Sequence, residues 1–138
     1  MAERKAALAR APLFSSLPKR HLHAIAKFAG PWSYAEGATL AKEGDSGSTF
    51  FVILEGRARV VRGNRTVRRL SEGDFFGEVS LLDPGPRTAT VIAESPIVCL
   101  ELTGQDFLAV LSREPLIATT ILHVMARRLR EAERPLVG

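Results

Sequence analysis

The sequence predicts a mainly β domain with flanking helices, its strands closing a sandwich, a jelly roll or a barrel. Three observations carry that expectation. Between residues 32 and 103, short β-forming runs alternate with glycine-centred breaks, the pattern of closed antiparallel architectures. On either side of that stretch the apolar residues recur at helical spacing instead. The length of 138 residues suits one domain whose core needs no disulfide or metal staple.

Residues 2–10 have helix-forming composition, with Leu8 and the alanines on one weakly apolar face. Ala11-Pro12-Leu13-Phe14 breaks that helix. Ser15 or Ser16 can cap a second one, with Pro18 tolerated in its first turn. Leu22, Ile25, Ala26 and Ala29 give it an apolar face until Gly30-Pro31. His21 and His23 are two residues apart and point to different helical faces, which argues against a shared metal, and both are expected to look into solvent.

Eight β-like runs follow, at 32–34, 39–42, 49–55, 57–62, 66–70, 75–76, 88–93 and 97–103. Glycine breaks separate them at Gly37, Gly44, Gly56, Gly63 and Gly73. Phe50-Phe51-Val52-Ile53-Leu54 is continuously apolar and is expected to cross the core. Thr103 is the best cap for a helix over 105–111. After Ser112-Arg113-Glu114-Pro115 a longer helix covers 115–133. Its stripe of Ile117, Ile121, Val124, Met125 and Leu129, widened by Ala118 and Leu122, covers more than one face. Part must pack on the β region; the rest fits a lid or a dimer helix. His123 beside the stripe is expected to be exposed.

Composition narrows the function. Hydrophobic residues make up 46% and charged residues 25%, ordinary for a globular protein. Cys99 is the one cysteine, which excludes an internal disulfide and any cysteine-spaced metal motif, and fits a reducing cytosol. No apolar run reaches membrane-spanning length. The net charge of +4 is spread along the chain. The arginines of 57–69 alternate with strand residues, and those of 127–134 alternate with glutamates, so both read as solvated faces.

Residues 76–91 have the chemistry of a binding site. Gly77 permits a close approach or a dihedral that a side chain forbids. Glu78 to Leu82 can form about one helical turn, which Pro84-Gly85-Pro86 stops. Helical N–H groups suit an anion. Arg87 adds a planar fork for phosphate oxygens, and Glu78 can accept from a sugar hydroxyl. An Arg87–Glu78 ion pair at a barrel rim explains the same residues equally well.

Phe76-Gly77-Glu78-Val79-Ser80-Leu81 followed by Pro86-Arg87-Thr88-Ala89-Thr90 resembles the phosphate-binding cassette of cyclic nucleotide-binding domains. That family includes catabolite activator proteins, regulatory subunits of cyclic AMP-dependent protein kinase and cyclic nucleotide-gated channels. The resemblance implies an eight-stranded β-roll or jelly-roll barrel with N-terminal helices, a short cassette helix and two C-terminal helices. It implies one domain over 1–138: N-terminal helices over 1–31, the β-roll over 32–103 with its cassette at 76–91, and lid helices over 104–138. Ser48 departs from the family, which often has an acidic residue there.

By the same resemblance the ligand is cyclic AMP or cyclic GMP, with cyclic AMP the leaning, and no further cofactor or metal is expected. Arg87 would bind the cyclic phosphate and Glu78 the ribose 2′-hydroxyl, with Phe76, Gly77, Val79, Ser80, Thr88 and Ala89 around them. Thr88 resembles the position that holds guanine in cyclic GMP-selective members. Ala132 and Glu133 replace the Thr-Ser pair that touches adenine in catabolite activators, so Arg128, Leu129 or Leu136 is expected to cover the base. The expected protein is a regulatory receptor rather than an enzyme, cytoplasmic, acting through a separate effector protein or domain. A homodimer through the C-terminal helix is expected, and no DNA binding by this chain alone. A cupin-like metal enzyme fits poorly, because His21, His23 and His123 all lie outside the β-rich stretch. A module that kept the fold only for protein interaction fits poorly too, since Glu78 and Arg87 are intact.

Overall fold

The computed structural model of the chain describes residues 1–133. Helices α1 (Ala2–Ala9) and α2 (Lys19–Ala26) lead into β1 (Gly30–Tyr34), β2 (Thr39–Ala41), β3 (Ser46–Gly47), β4 (Thr49–Glu55), β5 (Ala58–Arg62) and β6 (Arg65–Leu70). Then come β7 (Phe75–Phe76), a 3₁₀ turn (Val79–Leu81), β8 (Gly85–Pro86), β9 (Thr90–Ala93) and β10 (Ile97–Thr103). Helices α3 (Gly104–Arg113) and α4 (Pro115–Ala132) follow. Two four-stranded antiparallel sheets, β1-β10-β4-β7 and β2-β9-β5-β6, make the roll, and β3 pairs with β8 in a separate two-residue ladder. All eight expected strands are present. The ladder was not legible, because serine, glycine and proline carry no alternation to mark it.

Strand β4 divides the interior. Phe50 and Val52 face a cluster built with α1, α2, α3 and α4, while Phe51 and Ile53 face the inside of the roll with Ala58, Val91 and Cys99. This two-sided burial is why the run 50–54 has no polar member. On the helical side Phe14 meets Phe50 edge-on, with ring centroids 5.6 Å apart, and Phe107 at 5.9 Å. Each fully buried ring contributes about 1.5–3 kcal/mol by leaving water, enough to hold the short helices against the sheet. Thr103 caps α3 as expected, its hydroxyl accepting from the Asp106 N–H at 3.1 Å. In the roll, burial pushes the Cys99 thiol up to about 12, so it behaves as a small hydrophobe.

Two expectations about α2 fail. Neither serine caps it: Pro18 holds the N-cap position, and the Ser15 hydroxyl donates to the Pro12 carbonyl. The helix also stops at Ala26, and Gly30-Pro31 already belongs to β1. The histidines are not solvent-facing. His21 is buried with Nδ1 unpartnered among the described residues, and His23 is half-buried. The reason is geometric. His21 stands four residues before Ile25 and shares its inward face, and α1 covers the side that an isolated amphipathic helix would leave wet. His123 is exposed.

Inside the roll the Tyr34 hydroxyl donates to Glu101 Oε2. Burial raises the Glu101 carboxyl above the ordinary carboxylate range, with the Tyr34 hydrogen bond opposing. The folded state therefore holds this proton more tightly than the unfolded state. Stability contributed by the neutral form is complete below the unfolded value and is lost as pH rises through the folded one. Glu101→Gln keeps an acceptor oxygen for Tyr34 and removes the titration. Thermal melts should show the variant matching the wild type below about pH 4 and exceeding it at pH 7. An equal difference at both values would refute this account.

Candidate functional site

An open cavity of ≈ 760 Å³ is bounded by β5, β6 and β9 together with β7 and residues 77–89. Its segment after β7 is built locally. Gly77 has φ +85°, and a Cβ there would lie 2.6 Å from the Thr49 carbonyl oxygen and 2.9 Å from Arg87 Nη1. Only glycine takes that dihedral without strain. The following 3₁₀ turn closes through Ser80 N–H to Gly77 O at 3.1 Å and Leu81 N–H to Glu78 O at 3.3 Å. Buried Leu81 pins the turn to the helical-side core. The chain then pairs through Gly85 and Pro86 with Gly47 and Ser46, which delivers Arg87 to the cavity wall.

Arg87 is half-buried and held from several directions. Its Nη2 donates to the Thr49 carbonyl at 2.9 Å and its Nη1 to the Ser80 hydroxyl at 3.2 Å. The guanidinium carbon stands 6.0 Å from the centroid of the Phe51 ring, which stacks on Phe76 at 4.5 Å. Burial lowers the Arg87 pKa from its usual value, yet a guanidinium stays charged at physiological pH. Among the described residues no carboxylate lies within 4.0 Å of it. The alternative Arg87–Glu78 ion pair does not form. Glu78 Oε1 accepts from Arg128 Nη1 of α4 at 3.2 Å, and Glu78 Oε2 is buried with no partner among the described residues.

Phe76, Gly77, Glu78, Val79, Ser80, Arg87, Thr88 and Ala89, the residues singled out in the sequence, all line this cavity. The three lid candidates divide. Arg128 reaches the site through Glu78 but lines a separate shallow groove beside Pro12 and Ser15. Leu129 is 59% exposed and does not line the cavity. Leu136 lies outside the described residues. Along α4 the stripe splits: Ile117, Ile121 and Val124 are buried, while Leu122 and Leu129 are exposed.

Sequence reasoning missed the opposite wall. Val60, Val67 and Val91 give it an apolar surface, and Arg62 and Arg68 add two guanidinium groups. Arg62 Nε donates to the Thr88 carbonyl at 3.3 Å. Alternation along β5 and β6 was visible, but which side opens onto a cavity depends on the facing elements. Together the walls offer an unneutralised cation, a carboxylate oxygen without a donor and an apolar surface. That suits a ligand with a small anionic group, a hydroxyl and a flat apolar portion. No three His, Cys, Asp or Glu among the described residues gather as a metal site.

The chain belongs to the cyclic nucleotide-binding domain family, whose model matches residues 31–114. It is similar to the cyclic AMP receptor protein of Thermus thermophilus, 34% identical over 88% of this chain and 59% of the relative. It is also 36% identical to a cGMP-dependent protein kinase of Eimeria tenella over 78% of this chain but 11% of the kinase, so the likeness to that enzyme is confined to the binding domain. Among solved structures, the N-terminal domain of a Streptomyces coelicolor transcriptional regulator superposes with a TM-score of 0.84 at 34% identity, covering 91% of this chain and 92% of that one. The chain thus spans about three-fifths of the receptor-protein relative.

Gly77→Ala should destabilise the fold by about 1–3 kcal/mol, because alanine meets a left-handed dihedral and a backbone oxygen that cannot move aside. Denaturant titration measures this; an unchanged midpoint would contradict the strain described.

Proposed function

We propose that this chain is a receptor for a cyclic purine mononucleotide, with Arg87 holding the cyclic phosphate and Glu78 accepting from the ribose 2′-hydroxyl. One observation carries the reading: a half-buried guanidinium without a carboxylate and a buried carboxylate oxygen without a donor line the same cavity. A cyclic phosphate is a monoanion, so one arginine balances it, and the 2′-hydroxyl supplies the missing donor. The cavity volume falls within the usual range for small-ligand sites. Val60, Val67 and Val91 would face the base.

Cyclic AMP is the first choice of ligand, supported by similarity to proteins named as cyclic AMP receptors or cAMP-activated regulators. A second reading has its own support. Arg68 and Thr88 line the cavity, and a guanidinium fork matches the paired O6 and N7 acceptors of guanine better than the adenine edge, which places a donor beside N7. In that reading the preferred nucleotide is cyclic GMP, and Arg68→Ala weakens it more than cyclic AMP.

The chain acts as a regulatory module and not as an enzyme. Nucleotide at Glu78 changes the environment of the Arg128 ion pair, which ties α4 to the site, and so biases the position of that helix. The effector is a separate protein or further domain, and the exposed Leu122 and Leu129 of α4 are the surface for a second copy. The single domain works in the cytosol, without binding DNA by itself.

Calorimetry with both nucleotides tests the reading. Arg87→Ala should lose a charge-assisted pair of roughly 1.5–3 kcal/mol, about ten- to hundredfold in affinity, while melting as the wild type does. Glu78→Gln should weaken ribonucleotide binding and leave the 2′-deoxy analogue's affinity nearly unchanged. Wild-type affinity in Arg87→Ala would overturn the assignment. Competition between the two cyclic nucleotides, with Arg68→Ala alongside, decides between the bases.

A further inference from the structure

We infer that Gly47 is a positioning residue for the Arg87 guanidinium, acting through the absence of its side chain. The inference rests on the phosphate-binding role proposed for Arg87. A Cβ on Gly47 would lie 2.5 Å from Arg87 Nε, 2.7 Å from Nη2 and 2.9 Å from Cζ. One side of the arginine fork thus lies directly over the Gly47 backbone. The Gly77 backbone approaches Nη1, so the fork occupies a slot between two glycines. At its inner end Nη2 donates to the Thr49 carbonyl, two residues beyond Gly47.

The two glycines are not equivalent. A Cβ at Gly77 would strike a backbone oxygen and sit at a strained dihedral, whereas at Gly47 the three nearest atoms belong to the end of a flexible side chain and φ is not left-handed. The backbone around Gly47 is pinned by hydrogen bonds. Gly44 N–H donates to the Arg87 carbonyl at 2.9 Å, and Arg87 N–H donates to the Asp45 carbonyl at 2.8 Å. Gly47 itself pairs with Gly85 in the two-residue ladder. Behind the segment, Ser48 packs on Gly104 at the start of α3, where an added Cβ would come 3.0 Å from Ser48 Cβ. A methyl at 47 therefore leaves the backbone in place and drives the guanidinium off Thr49 and Ser80. The predicted signature is a loss of phosphate binding without loss of folding.

The test uses calorimetry with cyclic AMP and cyclic GMP on the full chain, with thermal melts of each variant. Gly47→Ala should weaken both nucleotides about tenfold or more, with a melting temperature matching the wild type. Gly30→Ala, where an added Cβ meets nothing within 4 Å, is the control and should bind as the wild type does. In the Arg87→Ala background Gly47→Ala should change affinity by less than about twofold, since the group it displaces is gone. A general structural role would reduce affinity in both backgrounds. Normal binding by Gly47→Ala, its unfolding, or an undiminished effect without Arg87 each overturns the inference, even when Arg87→Ala alone behaves as proposed. Failure of the wild type to bind either nucleotide, or wild-type binding by Arg87→Ala, overturns the phosphate reading and this inference together.

Discussion

A half-buried guanidinium held without a counter-ion among the described residues is the constraint around which the rest of this domain is arranged. Arg87 is met by a carbonyl and a hydroxyl, both neutral acceptors, and by the face of Phe51. These groups orient the cation without cancelling its charge. An opposite charge at 4 Å interacts by about 4 kcal/mol at an effective dielectric of 20, so a neighbouring carboxylate would satisfy the arginine and mute its pull on an anion. Desolvation tends to lower the arginine pKa, and the two hydrogen bonds with the aromatic face offset that penalty.

Supporting this cation draws on distant parts of the chain. Thr49 opens β4, whose Phe50 and Val52 lie in the helical-side core and whose Phe51 faces the roll. Leu81 fastens the short turn carrying Glu78 and Ser80 to the same helical core. The ladder between β3 and β8 fixes the backbone just before Arg87, and Asp45 and Gly44 pair with the N–H and the carbonyl of Arg87 itself. The candidate site is therefore tied to both cores of the domain. The Glu78–Arg128 pair is different in kind. It joins residues fifty positions apart and is the polar link between the site and a helix whose apolar stripe is only partly covered. An ion pair at the edge of solvent is worth little by itself.

Much of the site was legible because it is contiguous. From Phe76 to Ala89 the requirements of a left-handed glycine, a one-turn helix, a proline stop and an arginine succeed one another in one stretch, so local chemistry exposes them. The apolar run 50–54 and the cap at Thr103 were legible for the same reason. His21 was misread because helical spacing shows which residues share a face but not which faces a neighbouring helix covers. Arg62 and Arg68 are exposed, as a solvated face requires, but strand alternation does not tell that this face also borders a cavity.

The order of the main strands and helices, the position of the candidate site stretch and the identity of its two charged residues were determined by the sequence itself, because each depends on residues close together along the chain. Tertiary structure decided the rest. It separated Arg87 from Glu78, gave Glu78 to Arg128, buried His21 and laid Gly47 against an arginine forty residues away. Those outcomes depend on which surfaces meet when the roll closes, and distances across a closed sheet have no signature in residue spacing.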